Sequence, residues 1–244
     1  MATTGRLMPR AHFVDELHAV EQQALGGIDL VVRSLDRALE AIQHQDVELA
    51  AMVVADDDRI DGRYMEVHQS VLSLLALQAP VASDLRLVAA LLHLSVRMER
   101  MGDQCVNMAK LVPLSGHEPP VQPAILDKIA EMGTLARSLV LQARESFARR
   151  DAALAQSLVE QDDRLDRMNR TVFQLALDAG DDPDVREWAM HMMLIARAVE
   201  RIGDNAVDIG EQTAFVVTGL FREFDDASHP LPPAPAAPVG EGPA

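Results

Sequence analysis

The chain has 244 residues with a formal charge of −16; it is 48% apolar but only 3% aromatic. So acidic a balance argues against non-specific attraction to nucleic-acid phosphates or anionic lipids, which need a basic face, so no direct nucleic-acid binding is expected and membrane association would go only through partner proteins. Scarce aromatics and few β-branched runs, beside abundant Ala, Leu, Met, Arg, Asp and Glu, favour helices packed on helices over sheets. Cys105 is the one cysteine, which leaves no disulfide framework and reads as a small core residue. The opening Met-Ala-Thr-Thr-Gly-Arg-Leu-Met-Pro-Arg lacks the apolar stretch of a secretory signal, and no span approaches about 18 uncharged apolar residues, so a cytoplasmic location is expected.

In chain order, residues 1–10 read as a flexible start. The first helix is expected from Ala11 to Gln43, with Val14, Leu17, Leu25, Ile28, Val32, Leu35, Leu39 and Ile42 near helical spacing. Gly26 and Gly27 in its middle each cost about 1 kcal/mol relative to alanine, which a close helix contact or slight bend would explain. Asp46 is placed to cap a second helix that continues to Gln78. Pro80 breaks the chain, and Ser83-Asp84 supplies a cap and first-turn acid for a third helix to Val112. Pro113 ends it and opens a linker, 114–122. A fourth helix runs from Pro123 to Arg150, Asp151 caps a fifth that ends at Gly180, and Asp182-Pro183 starts a sixth that reaches Phe224. The sixth is nearly apolar all round from Trp188 to Val199, which marks it as central, with Met190, Met192 and Met193 as core filling. The Pro/Ala-rich residues 225–244 read as a disordered tail.

These helices divide into equivalent halves, 11–113 and 123–224, because the text repeats. Glu200-Arg-Ile-Gly-Asp-Asn-Ala-Val-Asp208 matches Glu99-Arg-Met-Gly-Asp-Gln-Cys-Val-Asn107, and upstream Asp162-Asp-Arg-Leu-Asp166 matches Asp57-Asp-Arg-Ile-Asp61. Each segment sets two acids four residues apart, on one helix face. Like-charge pairs of that kind cost an isolated helix roughly 0.2–0.5 kcal/mol each, a cost that a cation would reverse.

Stepping by threes and fours places the acids on apolar seams: Ala50, Val54, Asp57, Asp61, Tyr64, His68, Val71 and Leu75 in the second helix, and Leu85, Ala89, Leu92, Val96, Glu99, Asp103 and Val106 in the third. Arg86, His93, Arg97, Arg100 and Gln104 gather on a wetter side. In the sixth helix Glu200 and Asp204 follow Met190 and Met193, although Arg197 intrudes and would pair with Glu200. Arg59 and Met101 lie equally far on either side of Pro80, as Arg164 and Ile202 do about Pro183, so antiparallel hairpins would bring the acid segments level. Each half is thus expected to assemble four carboxylates: Asp57, Asp61, Glu99 and Asp103, then Asp162, Asp166, Glu200 and Asp204. Asn107 and Asp208, one turn further, would extend the sites.

Four carboxylates at a seam call for a counter-charge, which is a bound metal, arginines from the first or fourth helix, or shared protons. All-oxygen ligation suits Mg, Mn, Ca or ferric iron, and the lack of Glu-x-x-His argues against a ferritin-type oxidase. His68 reads as a packing histidine. A chain this acidic is a poor direct reader of phosphate, for which bound metal would be the intermediary.

Glu-Arg-x-Gly-Asp once per half, with Gln78-Ala-Pro-Val-Ala-Ser-Asp-Leu-Arg86 opening the third helix, resembles the PhoU family of phosphate-transport accessory regulators. The likeness covers roughly residues 10–222. It departs at Asp181-Asp-Pro-Asp-Val-Arg186, where the second half lacks the Ala-Ser-Asp-Leu-Arg text. The resemblance implies an all-α fold of two tandem pseudo-symmetric three-helix bundles in a cytoplasmic protein, often a homodimer. Such a protein acts with a phosphate ABC transporter and a sensor histidine kinase to restrain phosphate uptake and starvation signalling. It also implies multinuclear iron or zinc on the eight acids named above. The rival expectation is a carboxylate-bridged hydrolase or oxidase; no nucleophile motif or phosphate-cradling glycine loop supports catalysis.

Overall fold

The computed structural model describes residues 9–78, 80–115 and 122–224, with side chains from residue 12 onward. The expectations for residues 1–8, for 116–121 of the linker and for the Pro/Ala-rich tail from 225 lie outside the described residues. Among those described, every regular element is a helix: α1 (Pro9–His44), α2 (Val47–Asp56), α3 (Asp58–Gln78), α4 (Ala82–Leu111), a 3-10 turn (Pro113–Ser115), α5 (Pro123–Arg149), α6 (Ala152–Gln156), α7 (Leu158–Leu177) and α8 (Pro183–Thr218). The fold is all-α, two pseudo-symmetric three-helix bundles in tandem, with α2–α3 and α6–α7 each one interrupted arm. Among the described residues no helix is long and apolar enough to cross a membrane.

The expected caps form where a short acceptor precedes the helix. Asp46 accepts from the Leu49 N–H and Asp151 from the Leu154 N–H, both at 2.9 Å. The residues before them, Gln45 and Arg150, occupy matching left-handed positions, φ 52° and 57°. Asp182 caps α8 with Pro183 in its first turn. Ser83 is not a cap: α4 starts after Val81 without a side-chain bond.

Both continuous arms expected from the sequence are broken. Asp57 separates α2 from α3. Three consecutive aspartates there are poor helix-interior residues that favour caps and turns. In the second half the break falls at Ser157, where the Gln142 amide reaches the Leu154 carbonyl and the Ser157 hydroxyl, at 3.0 and 2.9 Å. That competes with the helical ladder. At the far end, α8 stops short of Phe224 because Gly219 turns left-handed at φ 77°.

The core is one body that runs through both halves. Leu17, Ala24, Ile28, Val31, Leu35 and Ala38 of α1 join Val88, Leu91, Leu94, Met98 and Cys105 of α4 and a buried line down α8. Phe13 takes the buried place expected of Val14, which is exposed. A Cβ on Gly27 would overlap the Met98 sulfur, so this glycine permits close contact of α1 with α4, while Gly26 faces open space. Antiparallel α1 and α5 are laced by ion pairs: Glu21 with Arg150 at 2.8 Å, Asp29 with Arg144 at 2.8 Å and Asp36 with Arg137 at 2.9 Å.

The stretch from Trp188 to Val199 is not enclosed all round. Met190 is 64% exposed and Leu194 57%, so Met190 is surface, whereas Met192 is core and Met193 packs at its margin. Leu194 shares with Phe173 of α7 a shallow cleft of about 350 Å³.

Candidate metal centre

The hairpins α3–α4 and α7–α8 set the acid-bearing segments beside one another, and of the eight expected acids Asp166, Glu200 and Asp204 converge within ligand distance among the described residues. In the first half, Asp57 is repelled by Asp61 and Asp103, and Glu99 by Asp103, Asp61 and Asp57. In the second, ligand oxygens of Asp166, Glu200 and Asp204 all lie within 4.8 Å of one another. Among the described residues that tighter grouping occurs in the second half.

A glycine sets the approach in each half. A Cβ on Gly203 would stand 2.7 Å from Asp162 Oδ1 and 2.5 Å from Leu165, and one on Gly102 would stand 3.2 Å from Asp57 Oδ1. The Gly of Glu-Arg-x-Gly-Asp therefore lets the acid-bearing arm press against the helix opposite. Neither glycine is singled out by charge or periodicity. Their matching place inside the two copies of the motif is the signal that could have found them.

The acids do not lie in the core seam itself. The buried line on α2–α3 is Ala50, Val53, Ile60, Val67, Val71 and Leu74, and on α4 it runs through Val88, Leu91, Met98 and Cys105. Expected seam residues Val54, Tyr64, His68 and Leu75 are only part-buried, and Leu85 is exposed. The true face is rotated by one residue, which puts the acids on its margin. Glu200 is buried at 5% exposure; Asp57, Asp61, Glu99, Asp162 and Asp166 are half-buried, and Asp103 and Asp204 are exposed. The picture of eight acids in water-excluded spots is corrected to two half-open clusters.

Burial still governs their protonation. It pushes Asp57 up to about 6, helped by Asp61, Asp103 and Asp58. It pushes Glu200 up to about 7, with Asp204 adding to the rise and Arg197 opposing it. Glu99 and Asp204 are raised as well, Asp204 because its carboxyl is crowded by the surrounding protein, with Asp166 and Asp208 adding to the rise, although the residue as a whole is exposed. The expected Arg197–Glu200 ion pair is present, but it serves one carboxylate oxygen, while Glu200 Oε2 is buried without a hydrogen-bond partner.

Asp208 is drawn elsewhere. It pairs with Arg97 of α4 at 3.1 Å across the join between the halves, and burial raises its pKa although Arg97 and Arg100 pull it down. Its counterpart Asn107 is exposed. Arg97, read from the sequence as one of a wet group, is a tie between bundles. His68 stacks tilted on Tyr64 at 5.7 Å, as a packing histidine does.

Three converging carboxylates, one with an orphaned buried oxygen, form a donor set for a hard cation. Fold and site thus define a class, the duplicated helical bundle with an acid cluster across each hairpin. A PhoU domain model matches the chain twice, over residues 28–112 and 129–213, and the chain belongs to the PhoU family.

Its relatives include a phosphate-specific transport system accessory protein PhoU homolog of Zymomonas mobilis subsp. mobilis, 34% identical over 80% of this chain and 81% of that one. A protein of the same name from Aquifex aeolicus is 32% identical over 76% and 84%. Among solved structures, PhoU from Pseudomonas aeruginosa superposes with a TM-score of 0.79 at 28% identity, covering 85% of this chain and all of that one. The phosphate transport system regulatory protein PhoU from Streptococcus pneumoniae gives 0.77 at 28%, covering 86% and 99%. These relatives are named for accessory and regulatory roles, not for a catalysed reaction.

Proposed function

We propose that the chain is an accessory regulator of a phosphate-specific transport system, which restrains phosphate uptake and starvation signalling through contacts with the transporter and its sensor histidine kinase. It works as an adaptor, as a homodimer in the cytoplasm, and carries metal on its acid clusters. The names of its relatives support the transport role, and the exposed apolar side chains Phe173 and Leu194 suit a protein that acts by protein contact.

The observations that carry the metal reading are the convergence of Asp166, Glu200 and Asp204 and the buried Oε2 of Glu200, which has no hydrogen-bond partner. Asp162 completes this set; Asp57, Asp61, Glu99 and Asp103 form its weaker twin. Mg, Mn, Zn or Fe fits the oxygen donors, with more than one ion per site allowed. A bound cation would cancel the repulsion among the acids and fix α7 against α8, shaping the surface offered to partners.

The test has two arms. Metal analysis of the purified chain beside Glu99→Ala, Asp103→Ala and Glu200→Ala, Asp204→Ala variants should find metal lost with the acids. Deletion of the gene should release phosphate-starvation genes in phosphate-rich medium, and the wild-type gene should restore restraint. Metal content unchanged in both variants refutes the ion reading; starvation genes left silent by the deletion refute the regulatory one.

A further inference from the structure

Between α1 and the α2–α3 junction of the first half lies a cleft of about 40 Å³, floored by Leu30 and Ile60 and rimmed by Arg33, Arg37 and Arg59. By the measure in which one probe sphere holds a water, that is room for about three waters, the size of a small oxyanion. Arg37 is joined to Asp56 at 2.5 Å, which fixes its guanidinium at the rim. Arg33 and Arg59 enter no ion pair or hydrogen bond among the described residues, so the rim holds three guanidinium groups and one carboxylate.

The duplication supplies an internal control. The Arg37–Asp56 pair has its structural counterpart in Gln142–Gln161, joined at 2.7 Å across the same sequence separation. In the same register Arg33 corresponds to Ser138 and Arg59 to Arg164. The second half keeps the fold with Ser138 and Gln142 in the places of Arg33 and Arg37 and retains only Arg164, so the bundle does not need arginine at those two places. Arg37 is held by Asp56, but Arg33 and Arg59 beside it have no such partner among the described residues, in a chain of net charge −16.

We infer that the Arg33, Arg37 and Arg59 cleft binds a phosphoryl group, as free phosphate or as the monoester head of a lipid. Guanidinium forks match phosphoryl oxygens in geometry and remain charged at any physiological pH. The chain's overall negative charge acts against an anion mainly at long range, where salt screens it beyond about 8 Å; at contact the three arginines decide. On this inference phosphate is met directly at the arginines, the alternative to the expectation from net charge that bound metal is the intermediary.

The full chain, freed of metal by chelation, is dialysed against radiolabelled inorganic phosphate and, separately, floated with phosphatidylcholine vesicles with or without phosphatidic acid. Expected is saturable binding of one phosphoryl group per chain. Arg33→Gln, Arg59→Gln should weaken it roughly tenfold or more, because two charge-assisted hydrogen bonds are removed, and Arg164→Gln should leave it unchanged. Circular dichroism checks that each variant folds. Arginine-dependent binding of dissolved phosphate identifies the free ion, and such binding to phosphatidic acid vesicles alone identifies the lipid. The inference is overturned by no saturable binding to either, or by binding indifferent to the double variant. It is equally overturned by phosphate that binds only to metal-loaded chain and disappears with Glu200→Ala, Asp204→Ala, which would place the anion at the acid cluster.

Discussion

Arg97 of α4 and Asp208 of α8 meet at 3.1 Å across the join of the two bundles, each about a third exposed or less. Part-exposed pairs of this kind contribute up to about 1 kcal/mol. Burial of Asp208 opposes that gain, so Asp208→Asn, which makes the second motif read like the first at Asn107, should change stability in urea by less than about 1 kcal/mol. It should leave metal content unchanged, because Asp208 is already committed. Metal lost on this substitution would return Asp208 to the cluster.

The motif glycines should be far less replaceable than the glycine they resemble least. Gly203→Ala thrusts a methyl at Asp162 and Leu165 and should destabilise by about 1–3 kcal/mol. It should also strip metal from the second cluster. Gly102→Ala, with about half an ångström more room, should be milder. Gly26→Ala, which meets nothing, should instead stabilise α1 by about 0.5–1 kcal/mol. Urea midpoints of the three variants check this ordering.

Acidification should strengthen the metal-free chain. Glu200 is raised from 4.5 to about 7 and Asp57 from 3.8 to about 6. Between the unfolded and folded values the native state holds more protons than the unfolded one, so stability falls as pH rises through this window. The urea midpoint should thus be higher at pH 5.5 than at pH 8, and Glu200→Gln should flatten the slope while stabilising the chain at pH 8. Saturating metal should abolish the trend, since a cation holds the acids ionised. A midpoint that climbs with pH in the metal-free chain contradicts this.

Cys105 should resist a thiol reagent until the chain unfolds. It is fully buried, and burial pushes its thiol up to about 12, so almost no thiolate exists near neutrality. Its labelling rate should rise with urea in step with loss of helical signal. Fast labelling of the native protein would mean that α4 opens locally.

The helical repeats, the hairpin register and the caps at Asp46, Asp151 and Asp182 were legible because local chemistry determines them. The seam was not. Along α2–α3, Ala50 and Val71 are apolar whichever neighbour shares their face, so Val53–Ile60–Val67–Leu74 and Val54–Asp61–His68–Leu75 are both readable stripes, and packing against α1 and α4 chose the first. The break at Ser157 was hidden for a related reason, since it depends on the Gln142 amide brought in from α5, whereas the break at Asp57 follows from the local run Asp56-Asp57-Asp58 and was readable there. The arginine rim at Arg33, Arg37 and Arg59 joins residues of two elements and has no footprint in linear text.

Because the buried side chains of both repeats form one packed body, neither repeat has a finished surface of its own. The chain should melt in a single step, and severed halves would each bare an oily flank that the other was made to cover. Gene duplication here produced two repeats that share one interior, so neither is a free-standing unit.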